Sequence, residues 1–280
     1  MNLQTKASFK KELLAFFRTK AFIIILLVFI GFSIFDPLLI RGLGLLMDAM
    51  SETYDEMGMD VSQISEMMGS AASMGVQQFL GDIMGIGLIV GLLLMNRFAG
   101  GEQKKRSIII PRSSGLGNFS YITPKFFIYP LAVLILMVIA TLSASVVSAL
   151  AFAVNDLVIF NVVIAGLLMG VNFMMYVCFH LALGTAMGKP GLSAAICIGA
   201  SMIVPLIFSI LSTGIENEML AYNPFSLGAM SLVAIYEPAP LTETIITVAM
   251  TLGIMVIVYL LALFAQNAKK IDNSGNEILI

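Results

Sequence analysis

The sequence predicts an all-α polytopic membrane protein with six transmembrane helices. Three observations carry this prediction. The 280 residues are 59% apolar and only 11% charged, whereas soluble domains carry about 25% charged residues. Six apolar runs reach the length of about 20 residues that a helix needs to cross a bilayer. The charged residues are concentrated between these runs, so lipid must be the solvent for most of the chain.

The predicted spans are joined by connections of very different lengths. They cover residues 21–40, 79–98, 126–154, 157–187, 192–212 and 244–265. At about 1.5 Å per residue, the third and fourth exceed the hydrocarbon thickness and must tilt or project. The apolar run 227–236 is too short to cross, and we expect it to form a short re-entrant segment that dips into the outer face before the sixth span.

Lysine and arginine predict the orientation, because loops that stay in the cytoplasm retain them. The N-terminus, the loops between spans two and three and between spans four and five, and the C-terminus share one side. Those segments and their flanks hold 14 of the 15 basic residues, and Arg41 is the exception. Thirteen of the 17 acidic residues fall on the other side. We therefore expect a multi-pass protein of the cell (plasma) membrane with both termini in the cytoplasm.

Residues 1–20 precede the transmembrane domain, which covers residues 21–265, and residues 266–280 form a cytoplasmic tail. Phe9, Leu13, Phe16 and Phe17 recur at helical spacing in the N-terminal segment, while its lysines lie on the opposite side. This pattern predicts a helix lying in the cytoplasmic interface. An ordinary basic extension is the alternative.

The first outer loop, residues 41–78, is acidic and rich in methionine. Its methionines have the rough spacing of one helix face, which indicates a solvated amphipathic helix. A copper(I) or divalent-cation site is the alternative, since thioethers are soft ligands. In span two, Gly81, Gly85, Gly87 and Gly91 form two small-xxx-small pairs, which predict close helix packing.

Three titratable residues fall inside or beside the spans. Asp36 and Asp82 are expected near the outer surface, where their carboxylates stay hydrated; a coupling-ion site is the alternative. His180 is expected to form a hydrogen bond between helices rather than to catalyse a reaction. Cys178 and Cys197 lie in apolar runs and are predicted to be buried free thiols.

The loop between spans two and three is the most informative connection. After Ser113, the apolar residues Leu116, Phe119 and Ile122 follow at spacings of three, as at the start of a short helix. Such a helix presents an apolar ridge to a partner. Its predicted basic rim consists of Arg106, Arg112 and Lys125. A basic loop that only fixes topology is the alternative.

Enzyme chemistry is not indicated. The sequence lacks the GxxxxGK[ST] phosphate-binding loop, and its single histidine makes zinc or Ser/His catalysis improbable. We expect no cofactor, metal or nucleic acid on this chain. If ATP drives its function, the ATPase is a separate polypeptide.

Three segments resemble the ABC-2-type permeases, the transmembrane subunits of type V ABC exporters. The opening from Phe9 to Arg18 is similar to the family's opening. The stretch from Glu102 through Pro111-Arg112-Ser113 to Lys125 resembles its coupling-helix region. Residues 222–226, which contain Asn223-Pro224, resemble its outer re-entrant turn. Lys104-Lys105-Arg106-Ser107 stands where the family often has a Gly-Thr pair.

The resemblance implies a six-helix half-transporter. It would pair with a second copy or a homologous permease and dock on cytosolic ATPase subunits that bind ATP. The implied substrate is hydrophobic, amphipathic or a peptide. The implied docking residues are Glu102, Arg106, Pro111, Arg112, Ser113, Leu116, Phe119, Ile122 and Lys125. The rival hypothesis is an ATP-independent secondary carrier or a non-transporting membrane partner. Carriers often contain inverted repeats, and residues 21–140 and 141–265 show no convincing similarity.

Overall fold

The computed structural model describes residues 3–56, 71–105, 107, 115–214, 222–238, 240–271 and 277–279. Six helices in these ranges are long and apolar enough to cross a membrane, which confirms the predicted number and fits a multi-pass membrane protein. The helices are α1 (Leu3–Arg18), α2 (Lys20–Glu56), α3 (Ala72–Lys104), α4 (Asn118–Ala151), α5 (Ile159–Met187), α6 (Pro190–Gly214), α7 (Pro224–Val233) and α8 (Leu241–Asn267). Strands β1 (Lys269–Ile271) and β2 (Glu277–Leu279) pair antiparallel after α8.

Two helices extend well beyond the predicted spans. The 37 residues of α2 reach about 55 Å at 1.5 Å per residue, so this helix continues far past residue 40 and through Pro37. Helix α4 begins at Asn118, directly after the extended Gly117. The prediction of a separate short helix beginning after Ser113 is therefore wrong for the described residues, because Phe119 and Ile122 already belong to the first turns of α4.

Helix α3 is interrupted twice. Residues Ile83–Gly87 and Arg97–Gly101 adopt π-helical geometry, which widens a helix locally and often accompanies function. In the second segment Ala99 leaves helical geometry and Gly100 has a φ of +104°. This backbone conformation favours glycine, because a side chain there meets the neighbouring carbonyl.

Contacts at the two ends of the bundle define an alternating, up-and-down arrangement. The Ala72 amide donates to the Val154 carbonyl at 3.0 Å, so the start of α3 lies beside the end of α4. At the other end α1 packs on the start of α4, and the Gln266 side chain of α8 donates to the Thr185 carbonyl of α5 at 2.6 Å. We call the end that carries α1 the basic end and the opposite one the acidic end.

Helix α5 forms the centre of the bundle. Of its most apolar window, 67% is buried, against 11% for α6 and 22% for α8. It packs against α4, α6, α7 and α8. The outer helices therefore leave much of their apolar surface exposed, as lipid-facing helices do.

Candidate functional site

Four charged side chains meet at the basic end, where α1, α3 and α4 converge. The Lys125 ammonium group is buried and lies 3.2 Å from Glu12 Oε1 and 3.0 Å from Glu102 Oε2. Lys11 Nζ lies 2.6 Å from Glu102 Oε1 and 3.4 Å from Glu12 Oε1. We call Lys11, Glu12, Glu102 and Lys125 the four-charge cluster. Its two cations balance its two carboxylates.

The cluster forms because one face of α1 is turned inward. Thr5, Ser8, Glu12 and Phe16 are buried at spacings of three and four residues, the period of one helix face. The Thr5 hydroxyl is hydrogen-bonded to the Ser120 hydroxyl of α4 at 2.9 Å. The predicted apolar stripe of α1 is thus divided: Phe16 points inward, whereas Leu13 and Phe17 remain exposed.

Aromatic rings close the cluster off from the rest of the bundle. The Tyr129 hydroxyl donates a hydrogen bond to the Glu12 carboxylate. Phe98 stacks on Tyr129 with ring centroids 4.3 Å apart, and Phe16 meets Tyr129 edge-on at 5.6 Å. The Lys125 ammonium lies 5.1 Å from the centroid of the Tyr121 ring. Glu12 and Lys125 are buried and depend on each other, because removing one leaves the other buried and uncompensated.

The ion pairs of Lys125 are electrostatic contacts. The ammonium group and the facing oxygens Glu12 Oε1 and Glu102 Oε2 have no hydrogen-bond partner, although they lie within ion-pair distance. At these separations the opposite charges attract each other strongly. Lys125 is therefore held by charge and by the Tyr121 ring.

The predicted docking residues divide into three groups. Glu102 and Lys125 are brought together. The expectation that Lys125 rims an exposed ridge is wrong, because its stem and charge are buried among α1, α3 and α4. Ile122 is buried with Tyr121 and Ala262, so the predicted ridge is wrong there too. Phe119 is 57% exposed and Leu116 is partly buried. Arg106, Pro111, Arg112 and Ser113 lie outside the described residues.

The start of α4, where the loop between α3 and α4 ends, is hydrogen-bonded to the end of α8. The Asn118 side-chain amide donates to the Gln266 carbonyl at 3.2 Å and to Asn267 Oδ1 at 2.8 Å. Through the Gln266–Thr185 hydrogen bond this contact continues to α5. The residues that flank the loop between α3 and α4 are thus connected to α1, to α8 and, through Gln266, to α5.

The four glycines of α3 in the predicted small-xxx-small pairs pack less closely against other helices than their spacing predicts. A Cβ atom on Gly91 would contact Phe173 of α5 at 3.1 Å, and the space beside Gly87 is filled by Ile83 of the same helix. Gly81 and Gly85 have no neighbouring atom within 4 Å. Among the described residues of this chain, no atom packs closely against these two glycines, so their predicted close packing stays a prediction.

The closest helix approach lies instead at Gly100 and Gly184. A Cβ atom on Gly100 would overlap the Gly184 backbone, and a Cβ atom on Gly184 would overlap the Ala99 carbonyl. Sequence reasoning missed this crossing because Gly100 falls beyond the predicted end of span two. The adjacent pair Gly100-Gly101 was the available signal.

Asn223 and Pro224 form the turn that starts α7. The Asn223 side-chain oxygen accepts the Phe225 amide at 3.0 Å, and Pro224 occupies the first helical position. The short apolar helix predicted over residues 227–236 begins at Pro224 and ends at Val233. It packs against α5 and α3, with Gly228 close to Asn172 and Met84.

Asp36 contradicts its prediction. We expected a hydrated carboxylate near the end of the first span, but Asp36 is 1% exposed and its Oδ2 has no hydrogen-bond partner. The reason is the length of α2, which continues twenty residues beyond Asp36.

Asp82 is half-buried and accepts a hydrogen bond from Gln78 at 3.0 Å. The predicted interhelical bond of His180 is confirmed: its Nδ1 lies 2.9 Å from the Ser193 hydroxyl of α6.

The remaining site chemistry is sparse. Cys178 and Cys197 are buried free thiols, as predicted. Within the described ranges, no group of three or more histidine, cysteine or acidic side chains could hold a metal ion.

No protein-family model matches the chain, and no curated protein matches it either. The four-charge cluster links helices α1, α3 and α4 to one another.

Proposed function

We propose that the chain is the transmembrane permease subunit of an ATP-driven ABC exporter. In this proposal the basic end faces the cytoplasm and docks on separate ATPase subunits that bind the ATP. The permease works as a dimer, with a second copy or a homologous permease as its partner. The substrate is hydrophobic, amphipathic or a peptide, and it leaves towards the acidic end.

The observation that carries the proposal is the position of the four-charge cluster around the loop. Glu102 lies just before the loop and Lys125 shortly after its end, and the two side chains are paired at 3.0 Å. Glu12 adds α1 to the same cluster at 3.2 Å from Lys125. A displacement of the loop by a docked ATPase would therefore move α1, α3 and α4 together, because separating buried charges is costly.

The loop also offers a surface for docking. Phe119, the second residue of α4, has 57% of its surface exposed, and Arg106 and Arg112 lie nearby in the sequence. A large exposed aromatic ring with basic neighbours is typical of residues that dominate binding at interfaces. In this proposal α1 lies in the membrane interface, where its exposed Leu13 and Phe17 contact lipid.

The test is co-purification with an ABC ATPase, sought first among the neighbouring reading frames and expressed together with the permease. Phe119→Asp combined with Arg112→Glu should abolish the complex while the permease still inserts in the membrane. One large aromatic at an interface core contributes about 2 kcal/mol or more, so the loss should be visible. Phe119→Leu with Arg112→Lys is the matched control and should retain the complex. Equal ATPase recovery from both variants would contradict docking at this loop.

A secondary carrier is the second candidate function, and the burial of Asp36 favours it. An acidic side chain inside a membrane bundle, without a counter-charge, is typical of ion-coupling sites. In vesicles that contain the chain alone, a sodium gradient should then drive proton movement reported by an internal pH dye. That movement should be lost in Asp36→Asn. An ABC permease without its ATPase should show no such movement.

A further inference from the structure

The carboxylate of Asp36 lies inside the bundle, where α2 crosses α3 and α4. Its residue is 1% exposed, and Oδ2 has no hydrogen-bond partner. The crossing is narrow: a Cβ atom on Gly75 of α3 would lie 2.5 Å from the Ser148 hydroxyl of α4 and 3.0 Å from Pro37 of α2. The Ser148 hydroxyl is itself buried and unpaired. Two buried polar groups without a hydrogen-bond partner therefore belong to this region: Ser148 at the crossing itself, and Asp36 next to Pro37 in the sequence.

The charged groups around this crossing do not neutralise Asp36. On α3, the Asp82 carboxylate is close enough to repel a negative charge on Asp36. Asp156, which follows α4, is bound to the Ser73 amide at 2.9 Å. On α2 itself the nearest charged residues in sequence are Arg41 and Asp48. The ion pairs of the described residues do not include Asp36.

The remaining titratable groups of the packed helices lie towards the basic end. On α4 these are Lys125, Tyr121 and Tyr129, and Lys125 is 23 residues from Ser148, about 35 Å along a helix. On α5, whose Phe173 touches Phe29 of α2, they are Tyr176, Cys178 and His180. The titratable residues of α1 also lie at that end, because α1 directly precedes the start of α2. A buried carboxylate without a cation binds a proton in preference to carrying an uncompensated charge.

We propose that Asp36 is a proton-binding site whose occupancy is coupled to the packing of α2 against α3 and α4. The compact crossing holds the proton on the carboxyl group. When the helices separate at the acidic end, water reaches Asp36 and accepts the proton. By linkage, acidification then favours the compact arrangement and alkalinisation favours the separated one.

Pro37 supplies a point at which α2 can bend. Proline lacks the amide that would donate to the Ser33 carbonyl one turn earlier, and its ring crowds that turn. The Ser33 hydroxyl donates to the Ile30 carbonyl at 2.8 Å, which adds a local competitor for the helix hydrogen bonds. The bend and the carboxylate are adjacent, so a hinge motion at Pro37 changes the hydration of Asp36 directly. This inference needs only the membrane-spanning bundle and holds with or without an ATPase partner.

The test measures separation of the crossing with a thiol reagent, using the full-length chain in nanodiscs without any ATPase. Ser148→Cys is introduced after Cys178→Ala and Cys197→Ala, and the labelling rate is measured between about pH 5 and pH 9. The same construction carrying Asp36→Asn corrects for the thiol's own ionisation. We expect the ratio of the two rates to rise roughly fivefold or more with pH. Asp36→Glu should retain the rise.

Two results would overturn the inference. One is a ratio that stays constant with pH. The other is a ratio that responds to sodium in place of choline at fixed pH but not to protons, which would identify a metal-cation site. An independent measurement avoids the cysteine variants altogether. Infrared spectra of the unmodified chain should show the carbonyl band of a protonated carboxylic acid that is missing in Asp36→Asn, and identical spectra would equally refute the proposal.

Discussion

Buried charges are paired at one end of the bundle, whereas the buried carboxylate at the other end has no described counter-charge. At the basic end, the four-charge cluster balances two cations against two carboxylates, and Tyr129 binds one of the acids. At the acidic end, Asp36 is as buried as Glu12 and Lys125, but none of the ion pairs between described residues includes it. Paired charges hold helices in one arrangement, because every alternative exposes or isolates a charge. An unpaired buried carboxylate makes the stability of the helix arrangement depend on whether the carboxyl group is protonated.

The difference assigns distinct roles to the two ends. Helix α4 carries Lys125 at one end and Ser148 near the other, so it connects the two regions physically. In our account the basic end is the rigid part that receives force, and the acidic end is the part that opens.

The first prediction concerns which end faces the cytoplasm. A cysteine replacing Asp55, at the end of α2, should react with an impermeant thiol reagent in intact cells, whereas one replacing Lys105, after α3, should react only in opened cells. The contrast should be nearly complete because loop lysines are retained inside. Labelling of the Lys105 position alone in intact cells would reverse the orientation.

The second prediction concerns the stability of the basic end. Lys125→Met should lower the free energy of unfolding by about 3–5 kcal/mol, because it leaves buried carboxylates uncompensated. Denaturation in detergent, followed by circular dichroism, measures the change. Lys11→Met is the control: Lys11 is half exposed, so its loss should cost about 1 kcal/mol or less. Combining Lys125→Met with Glu12→Gln should recover part of the loss. Equal costs for the two lysines would show that the cluster does not hold the helices.

The third prediction concerns the crossing of α3 and α5. Gly184→Ala should cost about 1–3 kcal/mol, because the added methyl group overlaps the Ala99 carbonyl and forces the helices apart. Gly85→Ala is the matched control in α3, since its position is open, and it should change the unfolding free energy by under about 1 kcal/mol. A neutral Gly184→Ala would mean that this crossing is loose.

The fourth prediction concerns the acidic end and has the smallest effect on stability. At low pH, Asp36→Asn should change the unfolding free energy by under about 1 kcal/mol, because a protonated carboxyl and an amide have similar size and polarity. As the pH rises, the parent chain should lose stability relative to the variant, since deprotonation places an unpaired charge in the crossing. Parallel curves for the two proteins would contradict an unpaired carboxylate.

The predicted features that rest on bilayer thickness agree with the structure. The number of spans follows from apolar length alone, since a hydrocarbon layer demands a helix of fixed minimum length. The hydrogen bond of His180 could be expected because a buried imidazole needs a partner. The ends of the helices could not be predicted from apolar length, because α2 and α4 continue into polar sequence, where hydrophobicity no longer marks a helix.

The burial of Lys125 and Asp36 depends on contacts between distant parts of the chain. Lys125 is buried because Glu12, 113 residues earlier in the sequence, approaches it from α1. From the sequence alone, a single lysine near the end of an apolar span is expected to be exposed, because its buried partner is distant in the sequence. Asp36 looked like a residue at a helix end, and only the continuation of α2 to Glu56 places it within the bundle. Opposite charges at neighbouring span ends were the one available signal for the cluster.

We propose that ATP, bound by the partner ATPase, acts at the basic end and opens the acidic end. The most direct measurement is the labelling rate of Ser148→Cys, in the background lacking Cys178 and Cys197, with the ATPase bound. We predict that trapping the ATPase with ATP and vanadate changes the rate about fivefold or more, and that Lys125→Met abolishes the change while the complex still forms. A rate that ignores ATP in the intact complex, yet responds to an ion gradient across vesicles without the ATPase, would contradict this account.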